Sequence, residues 1–189
     1  DYADEIARSG VNNAQNSFTV LQSFSRTVTS LGTYANISWP FLTIPDFEVR
    51  ARDYQTISGA EDVAFAPIVS DQVRETWEEY TLNNEDWIQR GLDYEYMVRL
   101  AERQEQQAEQ DSSGATIAPG TNMEGFSVIN KAKPIQEFIW KHAPLTHRAV
   151  PETNKGPHVP IWQTFPAPRN SYVVNHNLRS VPEFEQLIT

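Results

Sequence analysis

Four histidines and two sets of neighbouring carboxylates are the side chains here whose types suit them to chemistry. Imidazole titrates near neutrality and is the commonest metal ligand. His142 and His147 lie five apart on a segment containing Pro144, so they do not project from one helical face. His158 and His176 fall in separate strand-like pieces, and no metal site is expected from such spacing. Glu78–Glu79, and Asp93 with Glu95, offer acid–base chemistry in principle. On charged helical surfaces such pairs are usually solvated. No Gly-rich phosphate loop, GxSxG, HExxH or calcium loop is present. The absence of cysteine removes thiol catalysis, cysteine zinc sites and disulfides together. No catalytic residue, metal or cofactor is therefore expected, and an enzyme is the weakest function class.

What remains is an aromatic surplus toward the C-terminal end: Phe126, Phe138, Trp140, Trp162, Phe165 and Tyr172. Most such residues pack in cores. A curved sheet can also use some of them to line an apolar ligand cavity. The candidate ligand-binding set is Phe65, Phe138, Trp140, Trp162 and Tyr172. The Pro-flanked run "IWQTFPAPRN" could bend one side of a cavity. Arg148, Arg169 and Asn175 could orient a polar ligand, although nothing in their spacing selects them.

These side chains need elements to hold them. Apolar positions from Ile6 to Leu31 recur at spacings of mostly three and four, which predicts a long helix ended by Gly32. Within it Val11, Ala14, Phe18, Leu21, Ser25 and Val28 form a 3-4-3-4-3 seam. That seam packs either on its own domain or, through Val11, Ala14, Phe18, Leu21 and Val28, against a second chain. Pro40 and Pro45 exclude helix from the next stretch. Residues 47–57 read as a short helix stopped by Gly59. Residues 60–69 read as a strand, and Ser70 or Asp71 as the cap of a helix carrying Val73, Trp77, Tyr80, Asn84 and Trp87 to about Gly91. A solvated helical extension follows to about Asp111, with a mobile polar loop near 106–124. "GFSVI", "EFIWKHA", "HVPIWQTF" and "SYVVNHNL" read as short strands, and "SVPEFEQLI" as the start of a final helix. The fold class is α+β: residues 1–32 a long stalk or dimerisation helix, and 33–189 a PAS-like antiparallel sheet with flanking helices.

The 189 residues carry a net charge of −10. With its basic residues scattered, such a chain is a poor partner for nucleic acid. The longest nearly apolar run, Val63 to Val69, is far short of the roughly 18–20 residues of a membrane helix. The chain opens without an initiator Met, which suggests a mature product or an excised piece. Asn36-Ile37-Ser38 is a sequon, so Asn36 is the candidate glycosylation site if the chain is secreted.

"SGAEDVAFAPIV" followed by "VRETWEEY" is similar to the core of CHASE-type extracellular sensor domains. "ISWPFLTIPDFEVRA", "SGAEDVAFAPIV", "TWEEYTLNNEDWIQRGL", "VPIWQTFPAP" and "VVNHNLRS" together more closely resemble the ectodomains of receptor-type nucleotide cyclases of diatoms and related algae. The resemblance spans about residues 36 to 180. It implies an extracellular signal-receiving module set between membrane helices and followed by a cytoplasmic cyclase domain. On that reading the chain binds an unidentified small molecule or peptide, pairs as a homodimer in the full receptor, and meets the membrane only through flanking segments. No ligand residue carries over position by position. The alternative is a structural or dimerisation ectodomain without a ligand of its own.

Overall fold

A computed structural model describes residues 2–112, 131–144 and 146–184. The strand expected at 125–129, Phe126 and much of the expected 106–124 loop lie outside them.

The fold is α+β with a long N-terminal helix. Helix α1 (Tyr2–Tyr34) is followed by α2 (Phe47–Ser58), strand β1 (Val63–Phe65), α3 (Arg74–Asn83) and α4 (Asp86–Ser112). Among the described residues three further short strands follow: β2 (Trp140–His142), β3 (Ala149–Pro151) and β4 (Gln163–Phe165). β1 pairs antiparallel with β4, setting Val63 opposite Phe165, and β2 pairs antiparallel with β3, setting Trp140 opposite Pro151. The broad sheet expected from the sequence is thus realised, among the described residues, as two two-stranded pairs.

Several boundaries differ from the sequence reading, each for a physical reason. Gly32 does not end α1. The chain turns at Asn36, which is left-handed at φ 51°. Asn36 N–H then bonds to Thr33 C=O and Ile37 N–H to Gly32 C=O, which is the Schellman closure of a helix end. Gly59, at φ 68°, does stop α2 as expected. Gly91 lies inside α4, because α4 approaches the 165–168 segment there: a Cβ on Gly91 would fall 2.7 Å from that of Ala167. The expected helix from residue 70 through 91 is broken near Asn84 into α3 and α4. Ser70 stands at the N-cap of a 3-10 turn that begins at Asp71, and its side chain makes no capping hydrogen bond. "SYVVNHNL" is two 3-10 turns joined by isolated bridges, not a strand.

The core is aromatic and lies where α3, α4 and the 161–165 segment meet. Trp162 is edge-on to both Trp77 and Trp87, each at 5.8 Å between ring centroids, and Tyr80 lies 5.9 Å from it. Trp162 donates its indole N–H to Thr43, whose hydroxyl also meets the Tyr80 hydroxyl at 2.7 Å. Burial raises the Tyr80 phenol above its ordinary pKa, with the Thr43 contact opposing. Phe24 of α1 packs against Phe47 and Tyr54 of α2, so the C-terminal half of α1 is part of this core.

Short strands leave many backbone groups to be satisfied otherwise, and buried amides take that work. Gln163 accepts from Ile44 N–H and donates to Ile44 C=O, imitating a ladder pair across segments with no strand between them. Asn177 accepts from Val159 N–H and donates to Glu152.

Candidate functional site

The five residues proposed for ligand binding divide into two groups. Phe65 and Trp162 are interior, Trp162 with no exposed surface, and both are packed by the chain's own aromatics. Trp162 N–H of the main chain bonds to Phe65 C=O, so this pair is a seam of the core. That corrects its expected place on the wall of a cavity. Trp140 is buried as well, but it lies apart from that core cluster and meets Tyr172, which is 53% exposed, at 6.4 Å between ring centroids. Phe138, two residues before Trp140, is half-buried.

Three histidines join that second group: His142 meets both His147 and His176, and Trp140 meets His142 and His176. β2 carries Trp140 and His142 on the same side, because strand residues two apart share a face. The β2–β3 turn brings His147, left-handed at φ 52°, back so that its carbonyl lies 3.0 Å from His142 Nδ1. His176 arrives from the far end of the chain, fixed by a parallel bridge to Trp140. Its ring stacks on the Trp140 indole at 4.3 Å and lies 5.0 Å from that of His142. Trp140 is anchored in turn by its indole N–H, which donates to Val174 C=O. The result is a half-open aromatic and imidazole surface with Tyr172, His142 and His147 at its rim.

His176 Nε2 is buried without a hydrogen-bond partner. Burial, and then the neighbouring His142, bring its pKa from the ordinary 6.5 down to about 4. The ring is neutral at pH 7, which suits stacking more than acid catalysis. A lowered folded pKa means that the unfolded chain takes up the proton first as pH falls. The contribution of this neutral ring is complete above about pH 6.5 and is lost as pH falls toward 4. After discounting for the solvent-facing part of the ring, stability is expected to drop by roughly 1–2 kcal/mol between pH 7 and pH 5. His176→Phe keeps the stack and removes the titration. Urea midpoints at the two pH values check this: an undiminished pH slope in that variant assigns the effect elsewhere.

A second cluster joins Asp71 to the 156–158 loop. One Asp71 carboxylate oxygen accepts from Gly156 N–H at 2.8 Å and lies 3.0 Å from His158 Nε2. The Gly156 bond chiefly holds the Asp71 carboxyl below its usual pKa, against some desolvation and with help from His158 and Arg74. A carboxylate–imidazole pair is two-thirds of a triad. Among the described residues no hydroxyl is hydrogen-bonded to His158, and the arrangement acts as a latch between two loops. A third cluster is structural in the same sense: Glu152, buried, accepts from Lys141, Asn154 N–H and Asn177. Burial pushes its carboxyl up, and these three donors more than offset that, leaving it below the ordinary value. No group of three or more histidine and carboxylate side chains among the described residues is arranged to hold a metal ion.

Of the remaining candidates, Arg148 and Arg169 are exposed, Arg148 directly after His147 in the β2–β3 turn, while Asn175 is fully buried and serves the core. Asn36 is exposed at the end of α1, where its sequon is open to modification. On α1, Val11, Ala14, Phe18 and Leu21 are exposed, and Val28 is buried in the chain's own core. Sequence reasoning set His176 aside with the other histidines and did not single out Asn177. The signal was there in "VVNHNL", two asparagines and a histidine following a run of apolar residues.

Comparison of the chain with family models, curated proteins and solved structures finds no match.

Proposed function

We propose that this chain is the extracellular signal-receiving domain of a membrane receptor of the nucleotide-cyclase type, without catalysis of its own. One observation carries the reading: α1 is divided in use. Its C-terminal half is built into the core through Phe24 and Val28, while residues 8–11 and 14–16 are exposed. A helix so built can pass a change in the core along its length to whatever precedes it. Such coupling requires a ligand that distinguishes two states of the domain. The rim of Tyr172, His142 and His147 around the buried Trp140 is where an aromatic or hydrogen-bonding small molecule, or a peptide, would sit. The sequence resemblance to cyclase ectodomains supports the extracellular setting, as does the accessible Asn36 sequon.

Native mass spectrometry of the chain against pooled small molecules and peptides tests the binding half of this reading. A bound compound should lose affinity about tenfold with Tyr172→Ala, the order of one lost aromatic contact in a pocket. It should also change amide exchange in residues 24–31. The relay half is read from a chimera in which the chain precedes a membrane span and a cyclase domain. If no compound binds and the chimera's output is indifferent to deletion of this domain, the sensor reading is wrong.

A further inference from the structure

The charge of the chain is unevenly placed along it. Residues 131–180 carry seven lysines and arginines against two carboxylates, a net of +5, so the rest of the chain carries −15. Of those two carboxylates Glu152 is buried and paired with Lys141, which leaves Glu137 as the exposed one. Lys133, Arg148 and Arg169 are exposed, and among the described residues none of the three side chains is in an ion pair or a hydrogen bond.

These three cations stand at the two ends of the aromatic and imidazole rim. Arg148 follows His147 in the β2–β3 turn, where its C=O accepts from Ala143 N–H at 2.9 Å. At the other end Ser171 Oγ donates to Lys133 C=O, which sets Lys133 beside the 3-10 turn Ser171–Val173 that presents Tyr172. Arg169 enters the same turn. Between the ends run Tyr172, Trp140, His142 and His147, with consecutive ring centroids 6.4, 5.0 and 6.1 Å apart. Lys141, one residue from Trp140 on the opposite face of β2, is spent on Glu152.

We infer that this strip takes a short, extended acidic peptide. Its carboxylates meet Arg148 at one end and Lys133 and Arg169 at the other, with an aromatic side chain against Tyr172. The inference deepens the sensor reading, on which it rests for the choice of face, and selects the class of ligand.

The separation of the cations decides the class, because one acid group cannot meet both ends. About six extended residues, at roughly 3.3 Å each, span the strip. Arginine suits the task, since its planar fork takes a carboxylate through two bonds, and neither Arg148 nor Arg169 is engaged elsewhere. Charges more than about 8 Å away are screened at physiological ionic strength. A short peptide confined to the strip therefore meets a basic surface, whereas a long polyanion such as nucleic acid runs onto the acidic remainder. Exposed ion pairs are weak singly, so binding requires both ends and Tyr172 together.

Fluorescence anisotropy of an end-labelled peptide of alternating glutamate and tyrosine tests this, with the glutamine–tyrosine peptide as its neutral match. The acidic peptide should bind about tenfold more tightly, and the advantage should vanish as salt rises from about 20 mM to about 500 mM. Arg148→Ala and Arg169→Ala should each weaken it about threefold and Tyr172→Ala about tenfold, while Lys155→Ala, outside the strip, leaves it unchanged. All four positions are exposed, so thermal melts of the variants should match that of the native chain. Equal binding of the two peptides overturns the inference, as does a loss with Lys155→Ala as large as that with Arg148→Ala. An oligothymidylate bound as tightly as the peptide, with the same dependence on the variants, overturns the choice of a peptide. A neutral compound held through Tyr172, with no binding of the acidic peptide, overturns this inference and leaves the sensor reading standing. Peptide binding beside an indifferent cyclase chimera supports the inference and sinks the sensor reading.

Discussion

Trp162→Ala is expected to lower the free energy of unfolding by about 4 kcal/mol, the usual range for removing a large aromatic from a core. The ring has no exposed surface and is edge-on to Trp77 and Trp87, so its loss opens a cavity between α3 and α4 that neither helix can collapse to fill. Edge-to-face contacts of this kind add about 0.5–1.5 kcal/mol each beyond the area they bury. Trp162→Phe should be milder, at about 1–2 kcal/mol. Thr43 loses the indole donor in that variant but keeps its contact with Tyr80, so no buried hydroxyl is left alone. Urea denaturation monitored by far-UV circular dichroism measures both. A loss below about 1 kcal/mol for Trp162→Ala would mean that the ring is not packed by the chain itself. The lining of a ligand cavity, as its position in a Pro-flanked aromatic run suggests, would then be restored as its role.

The contrast between Trp162 and Trp140 shows what composition and period can and cannot carry. Both are tryptophans in strand-like segments, and nothing in spacing tells them apart. What separates them is the partner each meets: α3 and α4 for Trp162, and a histidine from residue 176 for Trp140. Long, strongly periodic elements were legible for the opposite reason. α1, α2 and the helical stretch across α3 and α4 follow from local apolar spacing, and Gly59 ends α2 because only a left-handed residue was needed there. Gly32 and Gly91 misled because a glycine can also be present for close approach, as Gly91 is against Ala167. The sheet was the least legible part. Its pairs are only three residues long, and much of their alignment is held by Gln163, Asn175 and Asn177. Side-chain amides that stand in for ladder bonds leave no period in a sequence.

Asn175 is the sharpest instance, and its replacement by alanine is expected to cost about 4–5 kcal/mol, comparable to losing Trp162. Its side-chain oxygen accepts from the Trp77 indole N–H, and its amide donates to Thr81 Oγ1 and Gln136 C=O. All three bonds reach segments distant in sequence, and removing one partner strands buried groups at roughly 1–3 kcal/mol each. Its backbone is engaged as well, accepting from Trp140 N–H and donating to Ile161 C=O. The residue sits at φ 63°, where asparagine is tolerated and alanine meets its own carbonyl at a cost of about 1–2 kcal/mol. Asn175→Gly separates the two contributions. Glycine accepts the left-handed backbone but supplies none of the three bonds, so it should recover about 1 kcal/mol relative to alanine and no more. Asn175→Asp should be no better than alanine, since a carboxylate keeps the Trp77 bond and turns two donors into a buried charge facing two acceptors. Chemical denaturation of the three variants at pH 7 orders them glycine above alanine, with aspartate at or below alanine. A glycine variant as stable as the native chain would show that the backbone conformation alone is what this position supplies. The junction of β2, the 161 segment and α3 would then have to be held by the main-chain bonds without the amide.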